Sequence, residues 1–204
     1  MGILARIFAK SRRQQLTIGI VGAPNAGKTT LANRISSECG NGTPLGVVSS
    51  IPHETREVVA LEHCFVSDQS GSLDLTVVDT PGIATSVDYR EFQNHGLSKQ
   101  ESINRAKEAT RGVIKAIQSL DKLDAAIIVV DSAEAPFDQV NWTVLGNLEA
   151  RKIPLIIAAN KSDLPNANPE LVKEAFQSEV VKISAKDGTG MNELYGSIFT
   201  VASM

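Results

Sequence analysis

Apolar residues along this chain fall into short runs that alternate with segments of helical periodicity. Runs rich in Val and Ile, with turn residues on both sides, are typical of strands buried within a sheet. Six runs predict strands: LTIGIV at 16–21, EVVALEHCFV at 57–66, SLDLTVVD at 72–79, AAIIVVD at 125–131, IPLIIAAN at 153–160 and EVVKIS at 179–184. Helices are predicted at 29–36, 101–120, 138–151, 169–177 and 190–202.

This alternation predicts a three-layer α/β fold with a six-stranded, mostly parallel sheet and helices on both faces. The second and third strands are joined only by the turn SDQSG, and so short a connection permits antiparallel pairing. Ligands of such sheets bind at the carboxyl ends of the strands, so we expect the chemistry of the protein at that edge.

Two helices allow more detailed predictions. Asn168 is expected to cap the helix that begins at Pro169. The residues before 101 are polar, and 83–100 predict irregular structure. The expected buried stripe of the helix 101–120 consists of Ile103, Ala106, Ala109 or Thr110, Val113, Ile117 and Leu120.

Composition and charge separate a short arm from the body of the chain. Hydrophobic residues make up 42% of the 204 residues, enough for a sizeable core in one domain. Residues 1–15 carry four basic residues and no acidic one, whereas the whole chain has a net charge of −3. We therefore distinguish a basic N-terminal arm, 1–15, from a domain, 16–204, whose acidic balance argues against nonspecific nucleic-acid binding.

The same composition bears on the compartment. No apolar run reaches the length of a membrane span, and no secretory signal is recognised, so a cytoplasmic protein is expected. Cys39 and Cys64 are accordingly expected to be free thiols.

The sequence GAPNAGKT at 22–29 fits the pattern G-x-x-x-x-G-K-[ST] of phosphate-binding loops in full, and it stands between a predicted strand and a predicted helix. In such loops, backbone N–H groups and the helix dipole face phosphates, the lysine pairs with the β- and γ-phosphates, and the hydroxyl binds Mg²⁺. Lys28 and Thr29 supply these two side chains. The expected nucleotide contacts in this segment are Ala23, Pro24, Asn25, Ala26, Gly27, Lys28, Thr29 and Thr30.

Three further motifs stand at the ends of predicted strands. In DTPG at 79–82, Asp79 can hold Mg²⁺ through water, and Gly82 allows its N–H to approach a γ-phosphate. In NKSD at 160–163, Asp163 can accept two hydrogen bonds from the N1 and N2 edge of guanine, which adenine does not offer. The expected base contacts from NKSD and from SAK at 184–186 are Asn160, Lys161, Asp163, Ser184, Ala185 and Lys186, with the Lys161 stem on the base and the Ala185 N–H near O6.

The ordered set GAPNAGKT, DTPG, NKSD and SAK resembles the translation-factor-related GTPases, and most of all the Era family, over about residues 16–202. The resemblance implies a P-loop GTPase fold and hydrolysis of GTP to GDP with Mg²⁺. It identifies Thr55 as the threonine of the first switch loop, with Thr43 as the alternative, although Glu54 stands where the family often has another threonine.

The resemblance also assigns roles. Lys28, Thr55 and Gly82 are the expected catalytic residues, and Thr29, Thr55 and Asp79 the expected Mg²⁺ ligands, directly or through water. Asn25 is similar to an asparagine that helps to hold K⁺ in several relatives, where the ion offsets charge that develops during hydrolysis. The alternative is that Asn25 only forms hydrogen bonds within its own loop.

Ile83 follows DTPG, and its side chain cannot orient an attacking water molecule by hydrogen bonding. In this the chain resembles GTPases with a hydrophobic residue at that position, and the resemblance implies that hydrolysis is slow without potassium or a partner. Two hypotheses follow: a switch whose GTP form docks on a protein or ribonucleoprotein effector, in ribosome- or RNA-related assembly, or a slow or inactive GTPase that serves as a nucleotide-dependent scaffold. A P-loop enzyme that uses ATP is disfavoured by NKSD.

Two regions depart from the Era pattern. Era proteins continue into a KH-type RNA-binding domain, whereas this chain ends at Met204, so a stand-alone G domain of a kind associated with archaea is expected and direct RNA binding is left open. The stretch 83–110 is long for a second switch region. It is either an ordinary loop with the start of a helix, or a partner-binding lid that nucleotide orders.

Overall fold

The computed structural model of the protein describes residues 14–39, 42, 44–46, 59–68, 71–81, 88–94, 96–136 and 139–204. Within these residues the chain forms six strands and six α-helices. In chain order they are β1 (Gln14–Val21), α1 (Lys28–Cys39), β2 (Val59–Asp68), β3 (Gly71–Asp79), α2 (Tyr89–Asn94), α3 (Lys99–Ser119) with a 3₁₀ turn (Leu120–Lys122), β4 (Ala125–Asp131), α4 (Gln139–Ala150), β5 (Leu155–Asn160), α5 (Pro169–Phe176), β6 (Val180–Lys182) and α6 (Met191–Ala202).

The strands form one sheet in the order β2-β3-β1-β4-β5-β6. β2 pairs antiparallel with β3, and every other pair is parallel. The predicted six-stranded, mostly parallel sheet is therefore confirmed. Because β1 lies between β3 and β4, the loop that follows β1 opens at the middle of the carboxyl edge.

Helices cover both faces of the sheet, as predicted. On one face, α1 and α6 pack through Leu31, Ile35, Leu194 and Ile198, none of which is more than 1% exposed. On the other face, α3, α4 and α5 bury a second cluster that includes Ala116, Leu148 and Val172. The aliphatic runs of the strands fill both cores, which explains why a chain with few aromatic residues can bury so much apolar surface.

The buried stripe of α3 differs from the predicted one. Its buried residues are Ser102, Arg105, Ala109, Gly112 and Ala116. Ala109 and Leu120 are buried as predicted, but Ile103, Ala106, Val113 and Ile117 are only half-buried and Thr110 is exposed. Small residues along the centre allow the helix to approach its neighbours closely, so the larger apolar side chains flank the contact instead of forming it.

The prediction of irregular structure over 83–100 is wrong for residues 89–94 and 99–100, which are helical, and right for residues 88 and 96–98. Tyr89–Asn94 forms α2, whose fully buried Phe92 anchors a helix that packs against α3. A single large apolar residue gives no periodicity from which the helix could be recognised. Ser98 and Glu101 then form a capping box, so α3 begins two residues before the predicted start at 101.

The start of α5 follows its prediction. The Asn168 side chain accepts a hydrogen bond from the Leu171 N–H at 3.1 Å, and Pro169 occupies the first turn. None of the described helices combines the length and apolarity that a membrane crossing requires.

The prediction that Cys39 and Cys64 are free thiols is wrong. The structure joins them in a disulfide with Cα atoms 5.3 Å apart, a distance within the usual range. The end of α1 lies against β2 in the fold, and this places the two sulfur atoms together in the core. Cysteines separated by 25 residues carry no local pattern that marks them as a pair.

A bond across this separation is expected to stabilise the fold by ~3 kcal/mol, because it restricts the unfolded chain. Protein unfolded without reductant should contain no free thiol, and reduction should expose two and lower the melting temperature. The variant Cys64→Ser should show the same melting temperature with and without dithiothreitol. Two reactive thiols in protein that has not been exposed to reductant would contradict the assignment of the disulfide.

Candidate functional site

The candidate residues lie along the carboxyl edge of the parallel strands. The loop 22–27 follows β1, Asp79 ends β3, Asn160 ends β5, and Ser184 stands two residues beyond β6. Hydrogen bonds described below connect these four places, although they are far apart in the sequence. The structure thus brings together the sequence-predicted site residues that it describes.

Two glycines shape the loop between β1 and α1. Gly22 has φ 143°, and a Cβ there would lie 2.4 Å from the Val129 carbonyl oxygen. Gly27 has φ 97°, and a Cβ there would lie 2.2 Å from the Asn160 amide nitrogen. Only glycine combines these backbone angles with such close approach. Between them, Asn25 is exposed and adopts the left-handed region at φ 60°.

Lys28 is the first residue of α1, and its ammonium group turns into the loop. Its side chain is only 6% exposed, and Nζ donates to the Ala23 carbonyl oxygen at 2.7 Å. Burial lowers the pKa of Lys28 to about 8, and the carboxylate of Asp79 opposes this shift. A cation held this far from water is strongly stabilised by an anion in the loop.

Thr29 and Asp79 form one corner of the site. The Thr29 hydroxyl donates to Asp79 Oδ2 at 2.7 Å, and Asp79 is 1% exposed. Burial raises the pKa of the Asp79 carboxyl, while the bond from Thr29 and the charge of Lys28 oppose the shift. Among the described residues, the other oxygen, Oδ1, is buried without a hydrogen-bond partner.

This corner fits a small divalent cation. A buried carboxylate oxygen that lacks a protein donor is costly, and a hydroxyl beside a carboxylate is the kind of oxygen set that Mg²⁺ prefers. A cation there would also favour the ionised carboxylate against the effect of burial.

Asn160 joins two loops of the site. Its Nδ2 donates to the Ala26 carbonyl oxygen at 2.8 Å, and its Oδ1 accepts from the Ala185 N–H at 2.9 Å. Asn160 itself is only 2% exposed, so its amide ties the loop after β1 to the SAK loop. The Ala185 N–H, expected near guanine O6, donates to Asn160 in this arrangement, and its contact with a base stays a prediction.

The two charged residues of NKSD are held by neighbours. Ser184 Oγ donates to Asp163 Oδ1 at 2.8 Å, which orients a carboxylate on an exposed residue. Lys161, in the left-handed region at φ 62°, places Nζ 2.5 Å from Asp131 Oδ2. Asp131 ends β4 in register with Asn160, and no motif in the sequence marked it.

The family of 50S ribosome-binding GTPases matches residues 17–161, which include the phosphate loop and the start of NKSD. The chain belongs to this GTPase family. Its G domain is the six-stranded fold described above.

Relatives of this GTPase include GTPase Der of Stenotrophomonas maltophilia, strain K279a, 28% identical over 193 residues that cover 90% of the chain and 36% of the relative. GTPase Der of Kosmotoga olearia is 28% identical over 205 residues, covering 95% of the chain and 40% of the relative. The chain thus spans little more than a third of the length of these relatives.

Solved structures share the fold of this GTPase. Era of Aquifex aeolicus, a variant bound to GDP and aluminium fluoride, superposes with a TM-score of 0.69 at 24% identity, covering 92% of this chain and 57% of that one. Era in complex with MgGDPNP and a 16S ribosomal RNA fragment gives 0.70 at 23% identity, covering 93% and 57%. The G domain of the T. maritima iron transporter FeoB gives 0.57 at 24% identity, covering 92% and 99%. The Era-like fold expected from the motifs is confirmed.

Sequence reasoning missed further residues that support the site of this GTPase. Arg34 on α1 donates to the carbonyl oxygens of Ala185 and Lys186, at 3.2 and 2.5 Å, and so fixes the SAK loop against α1. Thr80, in DTPG, donates to the Ile20 carbonyl oxygen at 2.8 Å and ties the end of β3 to β1. Their partners are backbone atoms at distant positions, which no local motif predicts.

Several predicted residues lie outside the described residues. These are Thr55, its alternative Thr43, Gly82 and Ile83, together with most of the basic N-terminal arm. Their roles in this GTPase stay predictions. Of the stretch 83–110, the structure describes 88–94 and 96–110, most of them helical, and neither interpretation of this region as loop or lid is tested.

Proposed function

We propose that this chain binds GTP with Mg²⁺, hydrolyses it to GDP and phosphate, and acts as a nucleotide-dependent switch. The observation that carries the proposal is the Asn160 bridge, because one buried amide holds the phosphate loop and the SAK loop in fixed relation. A phosphate site and a base site at a fixed separation are what recognition of a whole nucleotide needs.

The phosphate end of the site supports hydrolysis. Water attacks the γ-phosphorus in line, and negative charge on the phosphate oxygens must be stabilised. Lys28, already buried beside the Ala23 carbonyl, supplies a cation there, and N–H groups of residues 23–30 supply donors. Gly82 is assigned to the γ-phosphate by its place in DTPG, and Thr55 is assigned to Mg²⁺ by the family resemblance.

Mg²⁺ would be held by Thr29 and Asp79, whose oxygens are already side by side, with Thr55 as the third residue of the set. When bound, the ion neutralises phosphate charge. The protein contributes the fixed corner and excludes water from it, since Asp79 is almost fully buried.

The base end supports guanine. Asp163, oriented by Ser184, presents a carboxylate to two donors of the guanine edge, and Lys161, whose ammonium group is held by Asp131, offers its aliphatic stem to the base. An adenine base offers no matching pair of donors, and the unpaired carboxylate would weaken its binding.

The names of the relatives support a proposal for the cellular setting. The family is described by binding to the 50S ribosome, and one structural neighbour was solved with a fragment of 16S ribosomal RNA. These names support an effector that is a protein or a ribonucleoprotein, with assembly of the ribosome as the process. Ile83, which cannot orient water, keeps a second candidate, a slow or inactive GTPase that serves as a nucleotide-dependent scaffold.

A competition assay tests the nucleotide. Purified protein is loaded with fluorescent GDP and Mg²⁺, and unlabelled GDP, GTP, ADP and ATP are titrated against it. We expect guanine nucleotides to displace the probe at concentrations at least about a thousandfold lower than adenine nucleotides. Equal displacement by ATP and GTP would overturn the assignment of the base site.

Turnover in two salts tests the monovalent cation. If Asn25 helps to hold K⁺, GTP hydrolysis should be at least about tenfold faster in potassium chloride than in sodium chloride. Asn25→Ala should remove the difference and leave GDP affinity in sodium within about threefold. Equal rates of hydrolysis in the two salts would contradict the potassium hypothesis. Measurable turnover in either salt would exclude an inactive scaffold.

A further inference from the structure

The chain turns back along α1 after that helix ends. The Gly42 N–H donates to the Ser36 carbonyl oxygen at 3.1 Å, and the described residues 44–46, here called the return segment, then reach Asn33. Asn33 Oδ1 accepts from the Leu45 and Gly46 N–H groups at 2.7 and 3.3 Å, and its Nδ2 donates to the Gly46 carbonyl oxygen at 3.0 Å. Both ends of one amide therefore hold the return segment.

The return segment ends beside the corner formed by Thr29 and Asp79. Thr29 and Asn33 are four residues apart on α1 and so share one face of the helix, one turn from each other. A Cβ at Gly46 would lie 3.0 Å from Thr29 Cγ2 and 3.9 Å from Asp79 Oδ2. Gly46 thus occupies the space next to the two residues proposed to hold Mg²⁺.

The contacts of Asn33 are specific to this side of the site. Its neighbour Arg34 instead contacts the SAK loop, through the carbonyl oxygens of Ala185 and Lys186. Leu45 packs against the hydrophobic cluster between α1 and the sheet. This apolar contact and the hydrogen bonds to Asn33 together hold the return segment in place. Asn33 lies in the middle of α1, so its hydrogen bonds to the return segment are not contacts that cap the end of the helix.

We propose that Asn33 is a positioning residue for the metal corner: it fixes Gly46 beside Thr29 and Asp79, and so sets how strongly Mg²⁺ slows the release of nucleotide. The inference rests on the proposed function. Loss of the Asn33 amide frees the return segment to move away and lets water reach the corner, which weakens a site that depends on a fixed oxygen set.

Release of fluorescent GDP from the full chain, measured once with Mg²⁺ and once with excess EDTA, tests the inference. We expect Asn33→Ala to speed release about tenfold with Mg²⁺ and to match the wild type within about twofold in EDTA, because three hydrogen bonds that hold Gly46 beside the proposed metal corner are lost. Ser37→Ala is the matched control, since Ser37 is exposed on the same helix and its hydroxyl donates to the Arg34 carbonyl oxygen of its own helix. It should release GDP like the wild type in both conditions.

Gly46→Ala provides a second variant that leaves α1 unchanged. Its methyl group must press on Thr29, so release should again be faster only with Mg²⁺. Melting temperatures without Mg²⁺ and nucleotide show whether each variant folds. If Asn33→Ala does not fold, the release rates of Gly46→Ala test the inference. Unchanged release with Mg²⁺, or faster release to the same extent in EDTA, would overturn the inference. A wild-type chain that fails to bind GDP at all would instead overturn the proposed function, and the inference with it.

Discussion

Asp163→Asn is expected to lower the affinity for GDP by about a thousandfold and to create affinity for xanthosine diphosphate. Guanine presents two N–H donors to the carboxylate that Ser184 orients. An asparagine amide would place its own NH₂ group against one of these donors. Xanthine carries a carbonyl oxygen in place of the 2-amino group, so it can accept from that NH₂ group. Competition of GDP and xanthosine diphosphate against a fluorescent nucleotide measures both changes.

Asp121→Asn is a suitable control for this variant. Asp121 has a side chain that is 67% exposed and pairs with Arg151, away from the carboxyl edge. Its replacement should change neither affinity. If Asp163→Asn keeps the wild-type affinity for GDP, the carboxylate does not read the base, and NKSD must act only by shaping its loop.

Asp79→Asn is expected to raise the Mg²⁺ concentration required for GTP hydrolysis by about a hundredfold. The carboxylate is buried, accepts from Thr29 on one oxygen, and has a second oxygen without a hydrogen-bond partner among the described residues. An asparagine keeps the size of the side chain and removes the charge that favours a divalent cation. Hydrolysis rates across a Mg²⁺ titration measure the shift, with saturating GTP in every sample.

Asp74→Asn offers a control on the same strand. Asp74 is also largely buried, but it lies towards the other end of β3 and contacts His63 Nδ1 at 3.2 Å. This variant should need the same Mg²⁺ concentration as the wild type, even if it unfolds at a lower temperature. An unchanged Mg²⁺ requirement in Asp79→Asn would remove Asp79 from the metal site.

The fold could be predicted because its core strands are buried on both faces. AAIIVVD and LIIAAN are almost fully buried strands, and such strands appear in a sequence as unbroken aliphatic runs. The motifs could be placed because each stands at the carboxyl end of a strand, and parallel strands bring those ends to one edge.

Helices with unusual contacts were harder to predict. The centre of α3 is formed by small and polar residues such as Ser102 and Gly112, so the rule that large apolar residues face the core gave a shifted stripe. Phe92 is the one buried side chain among those described in α2, which leaves no periodic signal. The buried side of α3 and the existence of α2 therefore depend on packing between elements and not on local pattern.

Parts of the candidate site were also beyond sequence reasoning, for a different reason. Asn33, Arg34 and Asp131 act on backbone groups or side chains that lie 12 to 152 residues away, and their types are common on any helix or strand end. The pairing of Cys39 with Cys64 likewise depends on how α1 packs against β2. Contacts of this kind become visible only once the chain is folded.

Release of phosphate from GTP by the purified chain, with Mg²⁺ in potassium buffer, tests the central claim most directly. The same measurement with ATP, and with Lys28→Ala and GTP, provides the references. We expect phosphate from GTP at a rate that Lys28→Ala lowers by at least about a hundredfold, and no release from ATP above the buffer blank. Release from ATP as fast as from GTP, or a rate with GTP that Lys28→Ala leaves unchanged, would contradict a guanine-specific hydrolase at this site.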